Sequence, residues 1–268
     1  MLKVGDYVLR KSYGKDILFK IEAIDKYQNV ILKGVTYRIL ADADIKDLVP
    51  AGGLRSIPNE RDTIDLIENN VSKVQEEHKK LDTQRMRKIG KVLHIDGDAF
   101  YLNVCLKYYE SLGVQAIGEN VAETVQSQKV KSLIEKYNPD ILVLTGHDAL
   151  QKGGNSDDLA SYKNSRYYIE ATKEARKIRP TSEQLVIFAG ACQSHFEQIL
   201  SAGADFAASP NRVLIHALDP AFIVERVAYC PFYKVLDVKE AIKYTITKGG
   251  VGGYEVLGKS RDGGPASY

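Results

Sequence analysis

Over the first fifty residues, apolar and polar positions alternate in short runs. Val4 to Leu9, Ile17 to Ile24, Asn29 to Lys33 and Tyr37 to Ala41 are β-prone, and Val30, Leu32, Val35, Tyr37 and Ile39 nearly alternate. Gly5-Asp6, Tyr13 to Asp16, Lys26 to Gln28 and Gly34 supply turn residues between them. Short strands packed this densely predict a small SH3-like β-barrel over residues 1–50. Pro50-Ala-Gly-Gly then breaks the pattern.

The period changes over residues 51–89, which read as a helical linker. Ile64, Ile67, Val71, Val74, His78 and Leu81 recur at helical spacing in a highly charged stretch. One solvent-bathed amphipathic helix over 59–89 is expected, with His78 solvated among Glu76, Glu77, Lys79 and Lys80.

From Gly90 the chain alternates continuous apolar runs with amphipathic ones. KVLHID (Lys91 to Asp96), Val114 to Ile117, ILVLT (Ile141 to Thr145), LVIFA (Leu185 to Ala189) and Asp205 to Ala208 read as strands. Ala99 to Leu112, Ala122 to Tyr137, Tyr162 to Lys177 and His195 to Ser201 read as helices. Continuous apolar strands are covered on both faces, which predicts a three-layer α/β domain with a mostly parallel sheet over residues 90–245. Residues 246–268, rich in glycine, are expected to form a frayed tail.

Composition changes this picture little. Of 268 residues, 44% are hydrophobic and 27% charged, a globular balance that excludes wholesale disorder. A formal net charge of +2 gives no argument for nucleic acid, and no apolar run approaches the ~20 residues of a membrane span. No secretory signal stands in MLKVGDYVLRKSYG. Cys105, Cys192 and Cys230 have neither disulfide-framework nor zinc spacing, so no metal is expected.

The chemistry is concentrated where strands end. In an open α/β sheet, ligands sit outside the carboxyl ends of the strands. KVLHI is followed by Asp96-Gly97-Asp98, ILVLT by Gly146-His147-Asp148, and LVIFA by Gly190-Ala191-Cys192. A thiol opening a helix would have its thiolate favoured there, and a histidine from the neighbouring strand could move its proton. Backbone N–H groups at Gly146 and Cys192 are candidates for an oxyanion hole. A lone cysteine after a strand is ordinarily packing and a lone histidine beside glycine is ordinarily a loop residue. Their joint occurrence is what points to nucleophilic catalysis. His195 and His216 stay in contention as the base, whereas His94 inside a strand and Cys105 and Cys230 read as structural.

Strand-then-His and strand-then-Ala-Cys together resemble the caspase–legumain–clostripain group of cysteine peptidases. Asp148 departs from the Gly usual after the His in that group, and Gly190 from the acid or Gln usual before Ala-Cys. VGDYVLRKSYGKDILFKI, ADADIKDLV, KVLHIDGDAFYL, YNPDILVLTGHDAL, QLVIFAGACQSHFE, SAGADFAASPNRV and IHALDP resemble, more specifically, the YabG family of sporulation-specific cysteine proteases. The resemblance implies a caspase/hemoglobinase-like domain and a Cys192–His147 dyad without cofactor. It implies spore coat and cortex-associated protein substrates cut after Arg, no nucleic-acid or membrane partner, and a place in the mother-cell cytoplasm or at the spore coat. A guanidinium pocket needs a carboxylate. The loop after the first strand lines that pocket in such peptidases, so Asp98 and then Asp96 are the first candidates. Asp148 follows, with Asp157 and Asp158 in a Gly-rich loop. Two other readings stay open: an amidase of the glutamine-amidotransferase type using Cys192 with His216 or His195, and a non-catalytic module for coat assembly.

Overall fold

The computed structural model describes residues 2–12, 14–52, 57–81, 86–151 and 153–263. It divides into two compact units, Met1–Ser72 and Lys73–Tyr268. The first contains β1 (Tyr7–Arg10), β2 (Phe19–Ile24), β3 (Asn29–Gly34), β4 (Leu40–Asp44) and β5 (Leu48–Pro50), all antiparallel in the order β4-β3-β2-β1-β5. On β3, Val30 and Leu32 are fully buried while Ile31 between them is 51% exposed, the period-2 pattern of a sheet with one covered face. Val8, Phe19, Ile21, Ala43 and Leu48 complete that core.

The division falls within α1 (Pro58–Lys79). The helix expected to run to residue 89 ends ten residues sooner, and Met86–Lys88 is instead a strand, β6. Residues 82–85 lie outside those described. The elements of the second unit then follow as β7 (Val92–Asp96), α2 (Ala99–Ser111), β8 (Ala116–Asn120), α3 (Glu123–Tyr137), β9 (Ile141–Thr145), α4 (Ser165–Ile178), β10 (Val186–Ala189), α5 (Phe196–Ser201), β11 (Phe206–Ala208) and α6 (Asp219–Tyr229). They end with β12 (Val235–Leu236), α7 (Val238–Ala241), β13 (Val251–Gly253), β14 (Val256–Leu257) and β15 (Arg261–Gly263).

The main sheet runs β8-β7-β9-β10-β11-β13, parallel except for β13 at its edge. Leu93, Ile95, Leu142, Leu144 and Ile187 form one face and pack with Val130 and Ile134 of α3 and Tyr168, Ile169 and Ala171 of α4. Side chains of opposite parity face the other way, where His94 meets Tyr109 of α2. The helices α2 and α6 cover that side. Fully burying each such Leu, Ile or Val contributes about 1.5–3 kcal/mol, which is why these strands carry no polar alternation.

The C-terminal segment is not a frayed tail as far as Gly263. β13 pairs with β11, β14 with β12, and β15 with β6. Its glycines serve close backbone approach: a Cβ on Gly253 would lie 2.2 Å from the Asp205 carbonyl oxygen, and one on Gly258 would lie 2.0 Å from that of Cys230.

The last turn of α1 is not solvent-bathed either. Val74 is fully buried, and His78 stacks on Tyr229 and bonds through Nε2 to buried Glu225 at 2.8 Å. Glu77 takes hydrogen bonds from Arg226, Lys243 and the Tyr244 hydroxyl. Burial alone would raise its carboxyl, but these three donors outweigh it and hold the pKa at about 2. A depressed carboxylate contributes stability above its unfolded value near 4.5, and that contribution is lost as pH falls from 4.5 towards about 2. Glu77→Gln is therefore expected to lower stability by about 1 kcal/mol at pH 7, allowing for solvent screening. Thermal unfolding should show the gap from wild type closing below about pH 4. Equal midpoints at pH 7 would remove the network from the account.

Candidate active site

From β7 the chain steps to β8 at one flank, then returns through α3 to β9 on the other side of β7. The strand order therefore reverses between β7 and β9, and α/β sheets bind ligands outside the carboxyl ends of their strands at such a switch point. Asp98 follows β7, His147 follows β9, and Cys192 follows β10, the next strand over.

His147 and Asp98 meet across this switch point. Nε2 of His147 lies 2.8 Å from Oδ2 of Asp98. The other Asp98 oxygen accepts the Phe100 N–H at 2.8 Å and caps α2, so one carboxylate fixes both the helix start and the imidazole. The Tyr101 ring meets His147 edge-on at 5.6 Å. The backbone of His147 is held as firmly. Its N–H donates to Glu123 Oε1 at 2.7 Å, and its carbonyl accepts from Asn164 Nδ2 at 2.8 Å and the Tyr168 hydroxyl at 3.1 Å. Nδ1 of His147 is buried with no hydrogen-bond partner among the described residues.

Beneath this pair runs a buried polar chain. Asp96, fully buried, accepts the Asp98 N–H at 2.9 Å and the Thr145 hydroxyl at 2.8 Å. The two nitrogens of His94 reach Thr145 Oγ1 at 2.7 Å and the Tyr109 hydroxyl at 3.1 Å, so this histidine is a satisfied core residue. Asp96 thus ties the ends of β7 and β9 together from below.

Asp148 joins the histidine loop to the cysteine turn. Its oxygens accept from the Asn164 N–H at 2.7 Å, the Ala149 N–H at 2.9 Å, the Ser194 hydroxyl at 2.9 Å and the Ser165 hydroxyl. Burial pushes its carboxyl above the usual range, although these four donors pull the other way. Ser194 Oγ in turn accepts the Ala191 N–H at 2.9 Å and closes the turn that carries Cys192.

Cys192 is 1% exposed. The Ile215 N–H donates to its Sγ at 3.3 Å, and Sγ donates to the Ile215 carbonyl at 3.6 Å. The imidazole of His147 and this thiol are not hydrogen-bonded to each other: the side-chain bond of His147 goes to Asp98. Cys192 does not open a helix as expected. Gln193 at φ +59° follows it, and α5 begins only at Phe196, because the turn through Ser194 intervenes.

Of the rival bases, His216 adjoins Ile215 and accepts the Leu218 N–H on Nδ1 at 3.1 Å. His195 lies against Tyr162, with Nδ1 3.2 Å from Glu197. Cys105 is fully buried and donates to the Ala217 carbonyl at 3.2 Å, and Cys230 is nearly buried. Of the oxyanion candidates, Gly146 has φ +156°, and a Cβ there would lie 2.2 Å from Glu123 Oε1. The three pocket carboxylates, Asp98, Asp96 and Asp148, all make hydrogen bonds inside the protein. Glu123 was not singled out from sequence, since an acid in the first turn of a helix is commonplace.

The family model described as YabG peptidase U57 matches residues 3–265. The chain belongs to the YabG peptidase family. It is a peptidase of the sporulation-specific type. The sporulation-specific protease YabG of Bacillus subtilis (strain 168) is 40% identical over 98% of this chain and 98% of its own length. Among solved structures, a cobalamin-binding protein from Desulfitobacterium hafniense DCB-2 is similar over 64% of this chain and 74% of its own, with 19% identity and a TM-score of 0.36. A receiver domain of an Arabidopsis thaliana histidine kinase covers 43% of this chain and 76% of its own, with 13% identity and a TM-score of 0.27. Likeness at these scores carries no argument about this YabG-family chain. Among the described residues, no helix is long and apolar enough to cross a membrane, and no group of His, Cys, Asp and Glu is placed to hold a metal ion.

Proposed function

We propose that the chain is a cysteine endopeptidase in which Cys192 is the nucleophile, His147 the general acid and base, and Asp98 the group that positions His147. The observation that carries this reading is the Asp98–His147 pair at the switch point, with Cys192 in the turn after the neighbouring strand. An ionised carboxylate only accepts, so Asp98 keeps the proton of the neutral ring on Nε2 and leaves the lone pair on Nδ1. Nδ1 is the nitrogen without a partner, as a base awaiting a thiol requires. Catalytic hydrogen bonds are often long or absent before substrate binds. The contact between Cys192 and Ile215 has to loosen for a scissile carbonyl to reach Sγ.

The thiol transfers its proton to His147, and Sγ attacks the carbonyl carbon. Backbone N–H groups at Gly146 and Cys192 stabilise the oxyanion. The imidazolium then protonates the leaving amine as the C–N bond breaks, and water, deprotonated by the same ring, hydrolyses the thioester. This chemistry needs no metal or organic cofactor.

We further propose, as the sequence resemblance implies, that its substrates are spore coat and cortex-associated proteins, cut after Arg, in the mother-cell cytoplasm or at the coat; a sporulation-specific relative 40% identical is consistent with this. We read the antiparallel first unit as an SH3-like barrel that docks substrate or scaffold, and the α/β unit as caspase-like. An amidase using His216 is the alternative that the position of His216 beside Ile215 keeps in view. Purified protein incubated with a spore-coat extract should generate fragments whose new N-termini follow Arg, with none from Cys192→Ala. The same fragments from both proteins would sink the nucleophile assignment.

A further inference from the structure

Four carboxylates crowd this sheet edge, and Glu123 differs from the others. Asp96, Asp98 and Asp148 are hydrogen-bonded to side chains or caps on the spot. Glu123 is half-buried, and among the described residues its only partner is the His147 N–H, on Oε1. No lysine or arginine is paired with it among those residues. Its first-turn position suits the helix dipole, but the side chain reaches away from α3, across the ends of β7 and β9.

Two glycines make room for it. A Cβ on Gly97 would lie 2.3 Å from the Glu123 carboxyl carbon and Oε1, and one on Gly146 would lie 2.2 Å from Oε1. The backbones that follow β7 and β9 therefore pass directly against the carboxylate, and any side chain at either position would displace it. The result is a carboxylate set at the switch point between β7 and β9, bonded to the backbone of the proposed base, whereas Cys192 follows β10 on the other side of β9.

We propose that Glu123 is the specificity-determining residue that binds a basic side chain of the bound peptide beside the scissile bond, favouring arginine over lysine. This rests on the catalytic reading of Cys192 and His147. A carboxylate oxygen has more than one acceptor site, so Oε1 can keep the His147 N–H and still join Oε2 in a bidentate pair with a guanidinium. An ammonium offers only a point charge to the same group. The neighbouring carboxylates add to the attraction for a cation. Binding the cation and clamping the base through one side chain would couple substrate recognition to the placement of His147.

Glu123→Gln separates the two roles, because glutamine retains an acceptor for the His147 N–H and loses only the charge. The full-length protein should be assayed on matched peptides bearing arginine or citrulline, its neutral isostere, before the cleaved bond. The arginine-over-citrulline ratio of kcat/KM is expected to fall by about 100-fold in Glu123→Gln. The ratio is taken on one preparation, so a smaller folded fraction cancels. Calorimetric binding of the same two peptides in a Cys192→Ala background should show a parallel loss of preference and does not depend on turnover. An unchanged ratio, or equal losses on both peptides, would overturn the proposal and leave Glu123 as a clamp for His147. Full turnover by Cys192→Ala alone would instead overturn the catalytic reading, with the binding ratio still deciding Glu123.

Discussion

Cys192→Ala and His147→Ala are each expected to lower kcat by on the order of 10³ or more, and the double variant should be little worse than either alone. A nucleophile and its base act as one unit, so removing one leaves the other without a task. The folded state should survive both changes. The hydrogen bonds between Cys192 Sγ and Ile215 are weak sulfur bonds, and among the described residues the side-chain hydrogen bond of His147 is the one to Asp98. Cys105→Ala and Cys230→Ala should retain activity per folded molecule. His216→Ala is the discriminating control. Its loss together with a dispensable His147 would transfer the base to the loop that contacts Cys192 and revive the amidase chemistry.

Asp98→Asn is expected to lower kcat by about 10²–10⁴ with a smaller change in KM. Asparagine still caps α2 through the Phe100 N–H, so the helix start is preserved. What disappears is the charge that stabilises the imidazolium and fixes the proton on Nε2. An amide facing the ring can present its NH2 instead, which favours the tautomer with Nδ1 protonated and unable to act as base. Rates on peptides with a basic and a neutral residue before the cleaved bond should fall together. Selective loss on the basic peptide would return Asp98 to the pocket role that its position after β7 first suggested.

Much of the scaffold was legible because buried strands leave a plain signal. ILVLT is β9 from end to end, and KVLHID contains β7, since strands covered on both faces hold little but apolar residues. The helix α6 was missed for a related reason. Phe222, Ile223, Val224 and Val227 are all buried together with Glu225, so no polar stripe marks a helical period. β13, β14 and β15 were missed because strands of two or three residues in a glycine-rich stretch of chain carry little propensity signal and exist through their partners.

At the site, the residue types after the strands were readable but their pairings were not. Asp98 and His147 are 49 positions apart, and only the crossover through α3 brings their strands side by side. The carboxylate of Glu123 lies against Gly97 and Gly146; the sequence marks Gly146 as an oxyanion-hole candidate, but no local pattern ties either glycine to Glu123.

Whether Cys192 is a nucleophile served by His147 can be read by trapping the enzyme with a peptidyl-arginyl acyloxymethyl ketone and mapping the adduct by mass spectrometry. A single thioether on Cys192 is expected, formed at least about 100-fold more slowly in His147→Ala. An adduct on Cys105 or Cys230, or labelling of Cys192 at the same rate without His147, would contradict it.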